Sequence, residues 1–400
     1  MLQAGGLLIH SSTMNPAIDK LSFSLWAIAT SPYVLLSLLL ILPISPTTVS
    51  LWIAVLTLSV TYKKQNDLYT SNGRQLIVSI IMLLIIGIVF STNPVTSVKI
   101  SIKMLAGLFA IYGFYRYIRN YPLQDDKPFR DCVLLLCTII GSIIAVMWLQ
   151  QNCQPETLTC NESFFEQQNK WSTTALVLIC ATTALWSLHW SAIYFVLSIC
   201  LLSFIWLVEG RGAMVAAIMI MSIAAALSLQ RRQQLRLLIF VAALLMLIFT
   251  TTYHYWPAYL SFDFLNTLIT GRPELWQSAV AIIQSHPLFG IGLGAWQNNS
   301  EINQMLTSEF HNMVSPHNIL LDLVSSVGVT GSMFFTVTLY IFIKNIRQTQ
   351  ANLSNAHRRF GFLLFMAITI NGLVDFRLFA PLFISLTGIG LVLWKTGSKP

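Results

Sequence analysis

Long stretches without a charged residue dominate the sequence and limit what the chain can fold into. Runs of 16 to about 22 residues lacking Asp, Glu, Lys and Arg recur along it, which is the length an α-helix needs to cross roughly 30 Å of hydrocarbon. Only 10% of the 400 residues are charged, against about 25% in an ordinary soluble domain. Strands of a membrane β-barrel would be about half as long and alternating. The sequence therefore predicts an all-α polytopic membrane protein.

The apolar stretches predict about twelve membrane spans. They lie near 22–43, 47–62, 75–92, 99–118, 132–150, 171–188, 191–208, 212–229, 235–252, 317–343, 360–376 and 379–395. The spans divide the chain into residues 1–252 with spans one to nine, a large loop over 253–316, and residues 317–400 with spans ten to twelve and a tail. A loop this long, rich in glycine and aromatic residues, is typical of a functional site rather than of disorder.

The lysines and arginines indicate how the spans are oriented. Seventeen of the 23 fall in loops on one side and six on the other, which is the asymmetry of the positive-inside rule. We therefore expect both termini in the cytoplasm, the large loop on the outer side and no nucleic-acid partner. The first twenty residues lack a basic segment followed by a small-residue cleavage site, so we expect no cleaved signal peptide. Met14 is an alternative start.

Two arginines are expected at the outward starts of helices. Arg211 lies in a tight connection between two spans, and Arg272 is followed by Pro273, which suits a first helical turn. A helix start carries free N–H groups and a partial positive charge, and the guanidinium group matches phosphate oxygens bidentately. The pair predicts a diphosphate site, although an isolated Arg211 could instead snorkel to the interface or pair with Glu209.

His317 is the candidate general base. Ser315 is a good N-cap and Pro316 a good first residue, which predicts that His317 lies in the first turn of the tenth span. Positive charge nearby would disfavour the charged imidazole, so the ring could take a proton from an attacking hydroxyl. Asn318 and Asp322 are candidate supporting residues. Asp322 lies off the helical face of His317 and indicates a polar lining or a helix contact.

Other polar residues leave alternatives open. Asp375 and Arg377 share the short outward connection of the last two spans, where they either pair or Asp375 orients an arginine or the acceptor hydroxyl. Cys153 and Cys160 share an outward loop and could form a disulfide in an oxidising periplasm. The histidines show no HExxH or paired-carboxylate spacing, so we expect no metal and no cofactor.

The glycines between Gly290 and Gly294 follow no strand, so a nucleotide-binding interpretation is rejected. They predict a close turn that brings backbone to the substrate or to a neighbouring helix. Trp256, Trp276 and Trp296 are expected to be anchors at the membrane interface rather than sugar platforms, although their apolar faces could serve both roles.

These residues carry a resemblance to a known family. His317-Asn318, nine residues, Gly328, two residues and Gly331 resemble the motif of the bacterial O-antigen ligases, which are grouped with O-antigen polymerases and protein O-oligosaccharyltransferases. The chain length, the twelve predicted spans and the large loop before the tenth are similar too, as are the positions of Arg211 and Arg272. Ligases often carry an acidic residue soon after the His-Asn pair, whereas three apolar residues precede Asp322 here.

The resemblance implies a glycosyltransferase of GT-C-like fold in the bacterial inner membrane, with an active site at the periplasmic face. It implies inverting, metal-independent transfer of a glycan from undecaprenyl diphosphate to a sugar hydroxyl of lipid A-core. His317 would deprotonate the acceptor, while Arg211 and Arg272 would hold the diphosphate. A polymerase and a protein (pilin) glycosylating enzyme stay open. A flippase or transporter without chemistry is less favoured, because the spans are nearly free of charge.

Overall fold

The computed structural model describes residues 71–120, 123–149, 153–154, 159–160, 168–207, 210–228, 272–296, 299–306, 315–348, 353–373 and 378–396. This part of the chain is helical apart from one short two-stranded ribbon. In chain order the elements are α1 (Ser71–Val89), α2 (Pro94–Asn120), α3 (Lys127–Leu149), β1 (Cys153–Gln154), β2 (Thr159–Cys160), α4 (Gln168–His189), α5 (Ala192–Leu207), α6 (Arg211–Ser228), α7 (Arg272–Ser285), α8 (Ser300–Met305), α9 (Ile319–Gln348), α10 (Asn355–Gly372) and α11 (Pro381–Lys395).

The helices confirm the helical class that the apolar stretches predicted. Within the described residues, Pro94–Arg119, Trp171–His189 and Ile319–Gln348 are long and apolar enough to cross a membrane, and four shorter helices are also apolar. Each predicted span in this part of the chain overlaps a helix, whereas the predicted spans 22–43, 47–62 and 235–252 lie outside the described residues. The total of twelve spans and the sidedness of the loops stay predictions.

Helix α4 lies in the middle of the described bundle, and its buried residues combine large aliphatic side chains with small and hydroxylated ones. It packs against α5, α6 and α10, and every residue from Ser172 to Leu185 is buried. A buried hydroxyl is costly unless it is hydrogen-bonded. Thr182 donates to the carbonyl of Leu178 at 3.0 Å and lies 2.7 Å from the hydroxyl of Ser198 on α5. Small residues of this kind let membrane helices approach closely.

Contacts between helix ends show how the central helices are oriented. Arg359, near the start of α10, donates from Nη1 to the carbonyl of Ser187, near the end of α4, at 3.0 Å. The two packed helices are therefore antiparallel. Gly210, immediately before α6, lies so close to Ser172 near the start of α4 that a Cβ at Gly210 would overlap it. The starts of α4 and α6 thus lie together with the end of α10.

Helix α9 begins at the same place. Asn318, the residue before α9, donates from Nδ2 to the carbonyl of Leu373, which caps the end of α10, at 2.9 Å. The starts of α4, α6 and α9 and the end of α10 therefore share one end of the bundle, which we call the site end. The prediction that Arg211 and His317 lie on the same side of the protein depends on this arrangement and agrees with it.

Helix α9 is interrupted at Gly328, where the backbone has φ 64° and ψ −171°. This conformation is readily accessible only to glycine, and a Cβ here would overlap the backbone of Leu288 and Phe289. The interruption frees carbonyls before Gly328 and N–H groups after it. The predicted span 317–343 is therefore two helical segments rather than one continuous helix.

The segment 286–296, which follows α7, fills this break. Four hydrogen bonds cross it, and each satisfies a backbone group that would be costly to leave unpaired in hydrocarbon. They join the N–H groups of Ile291 and Gly292 to the carbonyls of Ser325 and Ser326, and the N–H groups of Val329 and Thr330 to the carbonyls of Pro287 and Leu288, at 2.9, 2.8, 2.9 and 3.1 Å. The expectation that the glycine-rich turn approaches a neighbouring helix is confirmed.

The described part of the large loop is ordered into helices around a second apolar core. Helix α7 contributes Leu275, Ala279 and Ile282 to it, and Trp296 lies within it at 1% exposure. The indole N–H of Trp296 donates to the hydroxyl of Ser325 on α9 at 3.1 Å. The expectation of an interfacial anchor at Trp296 was wrong, because the ring fills this core and its polar atom is satisfied by α9.

Candidate active site

Asn318 is the N-cap of α9. Its Oδ1 accepts the N–H groups of Leu320 at 3.0 Å and Leu321 at 3.1 Å, and its carbonyl accepts the N–H of Asp322 at 2.8 Å. The prediction that Ser315 caps this helix was wrong. The Ser315 hydroxyl accepts the N–H of His317, at 3.4 Å, whereas Asn318 satisfies two of the first N–H groups of the helix and is therefore its cap.

His317 therefore lies just outside the helix, not in its first turn. Its φ of 52° is left-handed, a conformation that is uncommon for a residue other than glycine and is often found at functional sites. The side chain is half-buried. His317 thus lies at the site end, between the buried Pro316 and the N-cap residue Asn318.

The capping by Asn318 changes the interpretation of the anion site. Two N–H groups at the start of α9 are already bonded to Oδ1 of Asn318, so this helix start has less to offer an anion than the sequence indicated. The anion hypothesis then depends on the starts of α6 and α7, where the two arginines lie.

Arg211 is the first residue of α6, as the sequence predicted. The carbonyl of the preceding Gly210 accepts the N–H of Met214 at 2.9 Å, so the first helical hydrogen bond closes around Arg211. Its backbone lies at the site end, the end of the bundle where His317 precedes α9. The structure thus brings the starts of these two helices to one end of the protein.

Arg272 is the first residue of α7, also as predicted, and its side chain is half-buried. Helix α7 packs against α9, and its apolar core reaches Leu321 in the first segment of α9. The far end of α7 leads into Pro287, whose carbonyl accepts the N–H of Val329 at the break. Arg272 therefore lies on α7, which is attached to α9, and α9 begins after His317.

Asp322 makes a helix contact, which was one of its two predicted roles. Its side chain is 4% exposed. Oδ2 accepts the N–H of Leu378, before α11, at 2.9 Å, and Oδ1 accepts the hydroxyl of Ser326 at 3.3 Å. Asp375 lies outside the described residues, and so does Arg377.

A polar chain that the sequence did not reveal lies at the end of α7. The hydroxyl of Ser285 donates to Oε1 of Glu301 at 3.1 Å and lies 2.9 Å from Nδ1 of His286. The carbonyl of His286 accepts the N–H of Gly290 at 3.1 Å, which agrees with the turn role expected for this histidine. Glu301 is distant from Ser285 in sequence, so periodicity could not have predicted the contact.

The two cysteines of the connection between α3 and α4 are directly opposite each other in the β1–β2 ribbon. The antiparallel register pairs Cys153 with Cys160. Opposite residues of an antiparallel pair have Cα atoms about 4.5 to 5.5 Å apart, which lies within the range of disulfides. The disulfide stays a prediction. Among the described residues no three His, Cys, Asp or Glu side chains are placed to hold a metal ion.

Comparison with known proteins supports the resemblance drawn from the motif. A family model described as O-antigen ligase matches residues 174–336, a range that contains Arg211, Arg272, His317 and Gly328. For this part of the chain the resemblance to the O-antigen ligases is confirmed, and it supports lipid-linked glycan transfer of the ligase or polymerase type by a membrane-embedded protein. No curated protein and no solved structure matches the chain significantly.

Proposed function

We propose, starting from the O-antigen ligase match over residues 174–336, that this protein transfers a glycan from undecaprenyl diphosphate to a sugar hydroxyl of lipid A-core. The reaction would take place at the periplasmic face of the inner membrane. The observation that carries the proposal is that the matched range contains the candidate base and both candidate phosphate ligands, His317, Arg211 and Arg272.

His317 is the proposed general base. A base must present a ring nitrogen to the hydroxyl that it deprotonates. His317 lies outside α9 in a left-handed conformation and is half-buried, at the end of the bundle where α6 begins with Arg211. Imidazole is also the side chain whose ordinary proton affinity best suits this task near pH 7.

Arg211 and Arg272 are the proposed diphosphate ligands. Each is the first residue of its helix, where the free N–H groups and the helix dipole favour an anion. A planar guanidinium can bind two phosphate oxygens at once. As the glycosidic bond breaks, charge develops on the diphosphate, and the arginines lower the barrier by stabilising that charge.

The proposed reaction is a single displacement. The acceptor oxygen gives its proton to a ring nitrogen of His317 and forms a bond to the anomeric carbon. The bond from that carbon to the diphosphate oxygen breaks, and undecaprenyl diphosphate leaves with the electron pair. One displacement inverts the anomeric configuration. The activated bond is already present in the donor, so no nucleotide is needed, and we propose that no metal takes part.

The decisive experiment is transfer by the purified full-length protein. It is incubated with a defined undecaprenyl-diphosphate glycan, with and without lipid A-core, and the products are identified by mass spectrometry. We expect glycan on lipid A-core with the unchanged protein and with His286→Ala, the control histidine, and a loss of more than about 10³-fold with His317→Ala. Addition of a chelator should leave the rate unchanged.

Other products would identify other functions. Longer glycans that stay on the lipid diphosphate would indicate a polymerase, and glycan on an added pilin would indicate a protein glycosylating enzyme. If no new glycosidic bond forms with any acceptor, the transporter interpretation replaces the enzyme. Full activity of His317→Ala would contradict the proposed base.

A further inference from the structure

The connection between α10 and α11 is tied at two points to the first turn of α9. Asn318 donates from Nδ2 to the carbonyl of Leu373 at 2.9 Å, and Leu378 donates its N–H to Oδ2 of Asp322 at 2.9 Å. Asn318 and Asp322 are four residues apart and therefore lie one above the other. One face of the turn that follows His317 thus holds both the end of α10 and the residues before α11.

The choice of asparagine at position 318 is explained by this tie and not by the cap alone. Serine, threonine and aspartate cap a helix about as well as asparagine does. The amide accepts the N–H groups of Leu320 and Leu321 with its oxygen and donates to the carbonyl of Leu373 with its nitrogen, whereas an aspartate carboxylate could only accept. The amide of Asn318 therefore caps α9 with its oxygen and binds the end of α10 with its nitrogen.

The carboxylate of Asp322 also bonds two separate parts of the chain. Its two oxygens accept the N–H of Leu378 and the hydroxyl of Ser326. A carboxylate that is 4% exposed is costly to bury unless it is hydrogen-bonded. Hydrogen bonds to a charged acceptor are about twice as strong as neutral ones, so Asp322 is a firm attachment for the backbone of Leu378.

The tied elements carry the other candidate residues. Helix α10 ends at the Leu373 tie and packs along α6, whose first residue is Arg211. The hydrogen bond from Asn318 to Leu373 therefore joins the start of α9 to the end of α10. Helix α10 in turn packs against α6, which begins at Arg211. A change in this tie alters the distance between the proposed base and a proposed phosphate ligand without altering either residue.

We propose that Asn318 and Asp322 are positioning residues for glycan transfer, which hold the start of α9 in register with the end of α10 and so keep His317 at a fixed position relative to Arg211. This rests on the proposed function, in which His317 is the base and Arg211 binds the diphosphate. Displacement of a reacting group by about 1 Å can cost on the order of 10²-fold in rate.

Asn318→Asp tests the tie without removing the cap. The carboxylate keeps the acceptor for Leu320 and Leu321, and a negative charge is favourable at a helix start. It removes the donor to Leu373 and places a carboxylate beside a carbonyl. We expect an unchanged or raised melting temperature together with a kcat about 30-fold lower and a donor KM within about 2-fold. Asn318→Ala loses the cap as well, so its melting temperature and its kcat should both fall.

Asp322→Asn and Asp322→Ala test the hydrogen bond from the N–H of Leu378 to Asp322. The amide oxygen of asparagine can still accept the N–H of Leu378, whereas alanine leaves that N–H without its acceptor. We expect kcat to fall about 3-fold in Asp322→Asn and more than about 30-fold in Asp322→Ala. The rescue by the conservative variant distinguishes the lost tie from a general packing defect.

His317→Ala is measured beside these variants so that the two failures are distinguishable. If His317→Ala stays active, the proposed function is wrong. If His317→Ala is inactive while Asn318→Asp keeps the kcat of the unchanged protein, the positioning role is wrong. A raised donor KM with unchanged kcat in Asn318→Asp would also overturn it, because that result indicates a substrate contact.

Discussion

The start of α9 and the break at Gly328 belong to the same helix, but different chemical groups hold them to their neighbours. At the start of α9, the side chain of Asn318 donates to the carbonyl of Leu373, at the end of α10. The side chain of Asp322 accepts the N–H of Leu378, shortly before α11. At the break, four backbone-to-backbone hydrogen bonds join α9 to the segment after α7. The contact of Trp296 with Ser325 is a side-chain addition to them.

This difference explains why the motif from His317 to Gly331 contains both polar residues and glycines. A tie made by a side chain depends on the donors and acceptors of that side chain, so the start of α9 is sensitive to polar substitutions. A tie made by backbone depends on how closely two chains approach, so the break is sensitive to any added Cβ. In the proposed function His317 and Asn318 therefore form the chemical half of the motif, whereas Gly328 forms its architectural half.

Gly328→Ala should have the largest effect and tests the architectural half of this comparison. A Cβ at this position would overlap the backbone of Leu288 and Phe289, and the φ of 64° is strained for alanine. Backbone strain and a steric overlap of this kind together cost about 2 to 6 kcal/mol. We expect little folded protein by size-exclusion chromatography in detergent, and a strongly lowered melting temperature for what remains.

Gly141→Ala on α3 is the matched control. A Cβ at Gly141 meets nothing within 4 Å, and alanine is favoured over glycine within a helix by about 1 kcal/mol. Its melting temperature should be unchanged or slightly raised. Equal melting temperatures for the two alanine variants would mean that the close backbone approach at Gly328 is not required.

Arg272→Lys tests the chemical half. Lysine keeps the charge but cannot bind two phosphate oxygens in the fixed geometry of a guanidinium group. We expect kcat/KM to fall about 10²-fold, with the melting temperature unchanged, in the transfer assay. Arg74→Lys at the exposed start of α1 is the control and should keep full activity. If Arg272→Lys also keeps full activity, Arg272 does not clamp phosphate.

The end of the bundle opposite the site end contains a buried histidine. Its titration is expected to change the free energy of unfolding and not the candidate active site. His357, in the first turn of α10, is fully buried, bonds the hydroxyl of Ser354 and lies 3.8 Å from Oδ1 of Asp126. Burial lowers the pKa of His357 from 6.5 to about 4. The unfolded chain binds this proton below about pH 6.5, whereas the folded protein binds it only near pH 4.

The free energy of unfolding should therefore decrease as the pH falls from about 6.5 to about 4. The fall in pKa from 6.5 to about 4 corresponds to at most about 3.5 kcal/mol, and the nearby Asp126 would reduce this. Chemical unfolding followed at several pH values measures the slope. His357→Asn, which does not titrate, should lose this part of the slope even if it is less stable, and an identical slope in the variant would contradict the assignment.

The smallest effect is expected from the ribbon between α3 and α4. If Cys153 and Cys160 are bonded, as their direct pairing favours, closing so short a loop contributes about 2 kcal/mol. A maleimide mass tag added after denaturation should label two fewer thiols in the untreated protein than in the reduced protein. The Cys153→Ser/Cys160→Ser variant should show no such difference. Equal labelling of the untreated and reduced protein would show free thiols.

The helices were predictable because hydropathy is a local property. Each predicted span in the described part of the chain overlaps a helix, and Arg211 and Arg272 begin helices as their flanking residues indicated. The N-cap of α9 was assigned incorrectly because Ser315 and Asn318 are both good caps, and local rules do not include the left-handed backbone of His317 that separates them.

The long-range features could not be derived from local patterns. Gly328 is one of two glycines in the tenth predicted span, and its partners Leu288 and Phe289 are distant in sequence. The hydrogen bonds of Asn318 and Asp322 to Leu373 and Leu378 likewise join separate spans. The resemblance to the ligases indicated that these positions matter, but the contacts show what each one does.

The break at Gly328 has a consequence for motion in the protein. An interrupted membrane helix often serves as a hinge, yet here every hydrogen bond across the interruption would have to open before α9 could bend. In hydrocarbon each opened bond costs several kcal/mol. This joint is therefore rigid, and the two segments of α9 together with the residues after α7 form one fixed support.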